Sequence, residues 1–380
     1  MSTAPGLLPS LYFTAYETAR KIYHAPRRAA FQSQLAGISA DGSMESIRLN
    51  YGHITTPSTS DGIIIGGNVK LLHLRERFNE HLSHFNLVYL VSSAPTPYWE
   101  ELVRWAKQKG CKLVWNQNGV AYRSWCGDYY PWFNAPLKRL LLQADYVVYQ
   151  SAFCQLCADR YLAPVQVPSE ILFNPVDLDH FSPSENPPST ETWQLLAAGT
   201  SHHFYRVKSA IDCLARLLKN GSPARLSIAG EFRWRDGDRE VADYLQQTKM
   251  DSHVRILPPF TQEQAPAIYQ SAHVLIHSKY KDPCPTVPIE AMACGVPVVA
   301  SKSGGMPELV PTNVGMLVDV EEDWDADIAP DSDKLADAVQ TIFANHATYS
   351  SAARAHAIAA FDKQHWLDAH SAIFKKVMAS

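Results

Sequence analysis

The stretch AHVLIHSKYKDPCPTVPIEAMACGVPVVAS, residues 272–301, decides the fold class. AHVLIHS and VPVVAS are short apolar runs typical of buried strands. VPIEAMACG between them predicts a helix, with Thr286 as its N-cap, Pro288 in the first turn and Gly295 as its terminator. A strand, a helix and a second strand at this spacing indicate parallel pairing, which places the loop SKYKDPCPT at the carboxyl edge of the sheet, where open α/β folds bind ligands.

The same alternation recurs along the chain. The first half contains the apolar runs DGIIIGG, FNLVYLVSS, CKLVWNQNG and ADYVVYQS, and the second half contains WQLLAAGT, ARLSIAG and VRILPPF. Strands that alternate with helices predict doubly wound parallel sheets, and two such series predict two domains. Residues 174–193, rich in Pro, Ser and Asn, are typical of an interdomain linker.

Composition narrows the classes of function. Residues 1–175 carry 16 basic and 12 acidic side chains, whereas residues 176–380 carry 18 and 26. The pI near 6.4 and the acidic second half give no continuous basic surface, which argues against nucleic-acid binding. No apolar run approaches the roughly 18 residues of a membrane span, and no signal peptide is recognisable, so we expect a cytoplasmic protein.

The seven cysteines are an odd number scattered through apolar segments, which favours reduced, buried thiols. Cys154 and Cys157 form a C-x-x-C, but no second pair completes a zinc site, so buried helix thiols are the favoured interpretation. Asp236 and Asp238 form a D-G-D within the charged segment RWRDGDRE, which is more typical of a solvated loop. We therefore predict no metal site and no cofactor.

Two carboxylates flank the predicted start of the helix in residues 286–294. A helix N-terminus carries unpaired N–H donors and partial positive charge, which suits a phosphate. Asp282 and Glu290 would compete with that phosphate unless they hold sugar hydroxyls. Gly304 and Gly305, after the next strand, allow close backbone approach. A nucleotide diphosphate sugar meets these demands together.

At these residues the chain resembles retaining glycosyltransferases of family 4, in which an E-x7-E motif contacts the donor. Asp282 stands for the first acid, in a D-P-C-P variant, and Glu290 for the second. The resemblance extends to NPVDLDHFSP at 174–183 and to AAGTSHHFYRVKSAIDCLARL at 197–217. It implies the α/β GT-B fold of two Rossmann-like domains that face a cleft.

The resemblance also assigns roles. It implies that Asp282 contacts the donor sugar, that Glu290 contacts the ribose, and that loop amides bind the phosphates. Lys208 matches the lysine of the family's phosphate loop, and Arg206 could replace the usual arginine, whose position holds Thr200. The predicted catalytic residues are Lys208, Arg206, Asp282 and Glu290, and the predicted donor-binding residues of the C-terminal domain are Gly199, Thr200, Pro285, Thr286, Val287, Gly304 and Gly305.

The N-terminal domain should supply the acceptor side. Gly66, Gly67 and Asn68 are predicted at a strand-to-helix turn near the diphosphate, although a plain tight turn explains them equally well. Asn118 and Tyr122 follow another strand, in the loop where the family often carries a histidine. The predicted domains are an N-terminal extension, helical in part (1–60), the N-terminal Rossmann-like domain (61–175), the C-terminal nucleotide-sugar-binding domain (176–360), and a C-terminal helix (361–380).

Several alternatives stay open. The last helix could cross back to the N-terminal domain or could be an ordinary terminal helix of the second domain. A basic helix before residue 60 could lie on a membrane surface or pack on its own domain. The predicted function is transfer of a sugar from a nucleotide-diphosphate sugar to a glycan, lipid-linked or small-molecule acceptor, with retention. An inactive sugar-nucleotide-binding protein and a GT-B epimerase or phosphorylase are the alternatives, and peripheral association with the inner face of the membrane is a further hypothesis.

Overall fold

The computed structural model of the protein describes residues 23, 25–42, 46–54 and 66–380. Two parallel sheets organise these residues, one of five strands before residue 172 and one of six strands after residue 192. A two-stranded parallel sheet, Ser39–Ala40 with His84–Phe85, lies beside the first. Each large sheet is covered by helices, as buried parallel strands require.

The N-terminal domain holds the five-stranded sheet in the order β2-β4-β5-β6-β7. Its elements in chain order are α1 (25–36), β1 (Ser39–Ala40), β2 (Leu49–Asn50), α2 (Gly67–Arg77), β3 (His84–Phe85), β4 (Leu87–Val91), α3 (Trp99–Gln108), β5 (Lys112–Gln117), α4 (Arg123–Cys126), a 3₁₀ turn (Gly127–Tyr129), α5 (Tyr130–Leu141), β6 (Tyr146–Tyr149), α6 (Ala152–Tyr161) and β7 (Ser169–Ile171).

The C-terminal domain holds the six-stranded sheet in the order β10-β9-β8-β11-β12-β13. Its elements are β8 (Trp193–Ala198), α7 (Phe204–Lys219), β9 (Ala224–Ala229), α8 (Gly237–Thr248), β10 (Val254–Leu257), α9 (Ala265–Gln270), β11 (Val274–His277), α10 (Thr286–Ala293), β12 (Val298–Ser301), α11 (Met306–Leu309), β13 (Gly315–Val318), α12 (Ser332–Ala344) and α13 (His346–Phe361); α14 (Lys363–Met378) follows.

The chain crosses between the domains twice at the same place. Val176 N–H donates to the carbonyl of Phe361, and Lys363 N–H donates back to the carbonyl of Val176. The Lys363 ammonium lies 2.6 Å from Asp177 and 2.7 Å from Glu76 of the N-terminal domain. The two crossings therefore form one hydrogen-bonded hinge.

Helix α14 packs on the N-terminal domain. Leu367, Ile373, Phe374 and Val377 are buried in one apolar cluster with strands β2 and β4. Because this face is covered by the first sheet, the alternative of an ordinary terminal helix of the second domain is wrong.

One predicted boundary needs correction. Leu49–Asn50 pairs with Leu87–Val88 in the N-terminal sheet, so this domain begins before residue 61. A strand of two residues is too short to show a period in the sequence. Residues 61–65 of the predicted strand DGIIIGG lie outside the described residues, and Gly67, which was predicted at the strand-to-helix turn, is the first residue of α2.

In the described part of the chain, no helix combines the length and the apolar character that crossing a bilayer requires. All seven cysteines are free thiols. Cys154 and Cys157 are both buried within α6, which confirms the interpretation of the C-x-x-C as helix thiols.

Candidate functional site

Three loops of the C-terminal domain converge at the carboxyl edge of its sheet. Gly199, after β8, has a φ of +94°, and a Cβ added to it would lie 3.2 Å from Cγ2 of Val287 in α10. A Cβ on Gly230, after β9, would lie 2.6 Å from the carbonyl oxygen of Gly199. Glycine at both positions therefore lets the loops after β8 and β9 close on the first turn of α10.

Helix α10 begins at Thr286, and Pro285 occupies the N-cap position. Thr286 was expected to be the cap, and this is wrong by one residue, because Pro285 already has the extended backbone of an N-cap. Within the described residues, no side chain caps this end. The first-turn amides, including those of Thr286 and Val287, keep the donor character that a phosphate needs.

Asp282 is buried at the same edge and is surrounded by cations. Its Oδ2 lies 3.0 Å from Nε2 of His277, at the end of β11, and its Oδ1 lies 3.0 Å from Nζ of Lys279. Although burial opposes ionisation, Lys279 and His277 hold the pKa of Asp282 well below its usual range. Burial lowers the pKa of His277, so the neutral ring donates from Nε2 to the carboxylate.

Arg206 joins this group from the start of α7. Its Nη1 donates to the carbonyl of Thr200 at 2.6 Å, whereas its buried Nε has no hydrogen-bond partner in the described part of the chain. Burial lowers the pKa of Arg206, and Asp282 is the strongest of the charges that oppose the shift. The structure thus brings together the predicted residues Arg206, Thr200 and Asp282, with a guanidinium N–H still to be satisfied.

Further positive charge surrounds the same place. Burial lowers the pKa of His202, and the neighbouring cations Lys279, Arg206 and Arg233 lower it further. These groups come from the loops after β8, β9 and β11 and from the first turn of α7. The carboxyl edge of the second sheet is therefore electropositive around Asp282.

Lys208 lies elsewhere. Its Nζ pairs with Asp212, one turn further along α7, and sits 5.3 Å from the centre of the Tyr244 ring. The side chain of Asp212 is the main cause of the raised pKa of Lys208. Two residues along a helix turn a side chain by about 200°, so Lys208 and Arg206 face different sides of α7 and the structure does not bring them together. The catalytic role of Lys208 stays a prediction.

Glu290 is buried on the second turn of α10. Its Oε2 accepts from the Tyr269 hydroxyl at 2.6 Å, and its Oε1 accepts from Nε2 of Gln262 at 3.0 Å. Burial raises the pKa of Glu290, although these hydrogen bonds oppose the shift. Oε1 of Gln262 is buried and no described residue donates to it, so this pair of side chains can still accept a hydroxyl hydrogen.

Gly304 and Gly305 serve the packing of the Asp282 turn. A Cβ on Gly304 would lie 2.4 Å from the carbonyl oxygen of Asp282, and one on Gly305 would lie 2.1 Å from that of Pro283. Gly305 N–H also donates to the Asp282 carbonyl at 2.8 Å. These glycines were predicted to admit the donor phosphate, but the backbone that approaches them is that of the turn itself.

In the N-terminal domain, Gly67 is buried, and a Cβ there would lie 2.7 Å from Oγ of Ser93. Gly66 has a φ of +54° with open space at its Cβ position, and Asn68 is exposed in the first turn of α2. The turn that carries Gly66 and Asn68 is therefore accessible, whereas Gly67 is required for packing after β4.

The predicted acceptor-side residues meet the C-terminal domain. Asn118 accepts from the amide of Gly119, where a Cβ would lie 2.9 Å from Cγ of Pro283. Tyr122 is buried, and its hydroxyl donates to the carbonyl of Lys281 at 3.2 Å. Tyr122 therefore links the two domains here, and its role on the acceptor side stays a prediction.

An aromatic cluster covers this contact. The ammonium of Lys281 lies 3.5 Å from the centre of the Trp324 ring, and the rings of Tyr122 and Tyr280 are close by. Trp324 also stacks on Phe153 of α6. Burial lowers the pKa of Lys281 to about 8. The segment that follows β13 thus reaches across to the N-terminal domain.

His277, Lys279 and Trp324 are the main residues that sequence reasoning missed. His277 lies at the carboxyl end of the predicted strand AHVLIHS, five residues before Asp282, so its position at the ligand edge was a usable signal. Lys279 is a charged residue in a predicted loop, which alone does not indicate a site. Trp324 lies in an acidic segment without periodicity.

Among the described residues, no three His, Cys, Asp or Glu side chains form a group that could hold a metal ion. Asp236 of the D-G-D segment instead pairs with Arg239 at 3.3 Å.

Comparisons with known proteins agree with this geometry. The family model described as Glycosyl transferases group 1 matches residues 181–350. D-inositol 3-phosphate glycosyltransferase of Mycobacteroides abscessus is 32% identical over 165 residues, which cover 41% of this chain and 37% of that protein. The gpi3 subunit of phosphatidylinositol N-acetylglucosaminyltransferase of Schizosaccharomyces pombe is 23% identical over 198 residues, which cover 51% and 42%. The chain thus spans about two fifths of the length of these curated relatives.

Two solved structures resemble both domains. HepE of Anabaena, in complex with UDP and glucose, has a TM-score of 0.63 and 18% identity over 76% of this chain and 77% of that one. Sucrose-phosphate synthase of Thermosynechococcus elongatus has a TM-score of 0.62 and 17% identity over 90% and 98%. The predicted fold class is confirmed: the chain has the GT-B fold, and the match to group 1 glycosyl transferases lies in its C-terminal half.

Proposed function

We propose that the chain transfers a sugar from a nucleotide-diphosphate sugar to an acceptor hydroxyl, with retention of configuration and without a metal ion. The observation that carries the proposal is the group of Arg206, Lys279 and Asp282 beside the uncapped start of α10. A diphosphate suits that arrangement, since it meets helix amides and cations together. The family match at 181–350 and the UDP complex of HepE support the same donor class.

In the proposed reaction, the bond between the anomeric carbon and the diphosphate oxygen breaks, and the acceptor oxygen bonds to that carbon on the same face. Negative charge grows on the leaving diphosphate, where Arg206, Lys279 and the first amides of α10 stabilise it. The loss of one such donor typically slows a reaction by about 10²- to 10³-fold. The resemblance to family 4 adds the expectation that the leaving diphosphate takes the acceptor proton.

The two acids have different tasks in this proposal. Glu290 and the neighbouring Gln262 accept hydrogen bonds from the ribose hydroxyls. Oε1 of Gln262 is suited to this because no described residue donates to it. Asp282 already pairs with His277 and Lys279, so in this proposal its task is to position the cations Lys279 and Arg206. Its contact with the donor sugar stays a prediction from the resemblance.

The acceptor is proposed to be a glycan, lipid-linked or small-molecule alcohol. The names of the two curated relatives make inositol phosphates and phosphatidylinositol the first compounds to test. The basic excess of residues 1–175 supports peripheral association with an anionic membrane from the cytoplasmic side. Failure to sediment with vesicles that contain anionic lipids would argue against this association.

The test is a thermal-shift screen with UDP, GDP, ADP and their sugars, followed by transfer assays with the best donor. A ligand at 100 times its Kd stabilises the protein by about 2.7 kcal/mol. Arg206→Ala should lose most of the shift, whereas the control Arg255→Ala, at an exposed position on β10, should keep it. The absence of any nucleotide response would refute the proposal, and NMR of the product would establish retention or reveal an epimerase.

A further inference from the structure

A lysine of the N-terminal domain is buried without a carboxylate partner among the described residues. Lys70, in the first turn of α2, is 3% exposed, and its ammonium lies 3.3 Å from Oδ1 of Asn116. The described residues give it no carboxylate partner, since the groups that act to raise its pKa are the thiols of Cys284 and Cys154. A buried ammonium normally has an anion beside it.

A chain of hydrogen bonds fixes the amide that faces this lysine. His370 donates from Nδ1 to the carbonyl of Trp366, so its Nε2 accepts from the Tyr89 hydroxyl at 2.9 Å. The Tyr89 oxygen accepts in turn from Nδ2 of Asn116 at 2.9 Å. The amide of Asn116 therefore cannot turn over, and its oxygen is directed at Lys70.

Two side-chain oxygens beside this lysine have no partner. Gln150 donates from Nε2 to Oδ1 of Asn116 at 2.8 Å, and Asn174 donates to the carbonyl of Cys284 at 2.6 Å. Their remaining oxygens, Oε1 of Gln150 and Oδ1 of Asn174, are buried and find no partner among the described residues. Because buried polar atoms are nearly always satisfied, these two oxygens can still accept hydrogen bonds next to the ammonium's neighbours Asn116 and Cys284.

The location of the group links it to the donor site. Asn116 belongs to β5 and Gln150 directly follows β6, at the carboxyl edge of the first sheet. Cys284, on the opposite side, lies two residues before the start of α10. Lys70 thus interacts with a residue at the carboxyl edge of the first sheet and with the loop that leads into α10 of the second domain.

We infer that Lys70 is the counter-charge supplied by the N-terminal domain to a phosphoryl group of a bound substrate, with Gln150 and Asn174 accepting from neighbouring hydroxyls. This inference rests on the proposed function, which brings such a group into the cleft. The phosphoryl group belongs either to the donor diphosphate or to a phosphate ester on the acceptor. Burial lowers the pKa of Lys70 to about 8, and a bound anion would raise it again.

The experiment compares wild type, Lys70→Met and a matched control, Lys107→Met, whose ammonium pairs with Asp145 on the same domain. Methionine keeps the length of the buried chain and removes the charge. Thermal shifts are measured with pyrophosphate, UDP and D-inositol 3-phosphate, and kcat/KM is measured for donor and acceptor. We expect Lys70→Met to unfold at a higher temperature than wild type, since it removes an uncompensated charge, and yet to lose about 10²-fold in kcat/KM.

The outcomes separate the two sources. A response to UDP and pyrophosphate that is lost in Lys70→Met, with the inositol phosphate response kept, assigns the donor diphosphate, and the reverse assigns the acceptor. Responses and kcat/KM equal to those of wild type overturn the inference, as does a Lys70→Met protein that is less stable or unfolded. A wild-type protein that binds no nucleotide and transfers no sugar refutes the proposed function. If instead the wild type is active and Lys70→Met behaves in the same way, only the inference about Lys70 fails.

Discussion

Removal of the Glu308 carboxylate should open the cleft and slow transfer while donor binding persists. Glu308 lies in α11 of the C-terminal domain, yet its two oxygens accept from the first amides of α6 in the N-terminal domain. The amide of Ala152 donates to Oε2 at 2.6 Å and that of Phe153 donates to Oε1 at 2.9 Å. A carboxylate at the start of a helix is favoured by the helix dipole as well as by these bonds.

The expected magnitude follows from those two bonds. A hydrogen bond to a charged group contributes about 1.5–3 kcal/mol, and an acid at a helix N-terminus about 0.3–1 kcal/mol. Because one of the two bonds is exposed to solvent, we take about 2 kcal/mol as the preference of the closed state that Glu308→Ala removes. That loss changes the ratio of closed to open molecules about 30-fold.

The assay combines small-angle scattering with kinetics. Glu308→Ala should enlarge the radius of gyration and lower kcat by up to about 30-fold, the limit that is reached when the open state dominates. The Kd for UDP should change little, because the proposed diphosphate contacts lie in the C-terminal domain. Glu191→Ala, which removes an exposed glutamate ahead of β8, is the matched control. An unchanged radius of gyration together with unchanged kcat would refute the reasoning.

Three further predictions concern charges at the site. Asp282→Asn should lower the melting temperature, because breaking a buried pair costs about 3 kcal/mol, while the Kd for UDP changes less than kcat. Arg206→Ala should lower kcat/KM by about 10²-fold and Lys208→Ala by less than threefold, which steady-state kinetics can compare directly. For Lys70, a folded pKa of about 8 against 10.5 unfolded means that the unfolded chain binds more protons between these values. Stability therefore rises with pH, and the advantage of Lys70→Met in urea unfolding should shrink from about 3 kcal/mol at pH 7 to about 2 at pH 9.

The sequence predicted the strand–helix–strand pattern wherever an apolar run was long enough to form a buried strand. LVYLV in β4 and VLIH in β11 are wholly buried and uninterrupted, and both were predicted. Leu49–Asn50 and Ser169–Ile171 were not, because strands of two or three residues at a sheet edge carry no period. Thr286 and Pro288 also predicted the start of α10 to within one residue.

The sequence did not predict which groups contact the site residues. Glycine at 304 and 305 indicated a close approach, but only the structure shows that the approaching group is the Asp282 turn. Lys208 matched a motif, yet Asp212 at i+4 competes for its ammonium. Such contacts depend on side-chain direction, which a motif does not encode.

The turn that carries Asp282 shows why closure and donor recognition should be coupled. Its consecutive carbonyls accept hydrogen bonds from different parts of the chain: Lys281 from Tyr122, Pro283 from Ser151, and Cys284 from Asn174 of the hinge.

Only the carbonyl of Asp282 itself is bonded within the C-terminal domain, to the amide of Gly305. When the cleft opens, the bonds from Tyr122 and Ser151 must break, and the turn then depends on its own domain alone. The cations that Asp282 positions, Lys279 and Arg206, would be held less firmly. We therefore expect the positions of Lys279 and Arg206, and with them the proposed diphosphate site, to depend on whether the two domains are in contact.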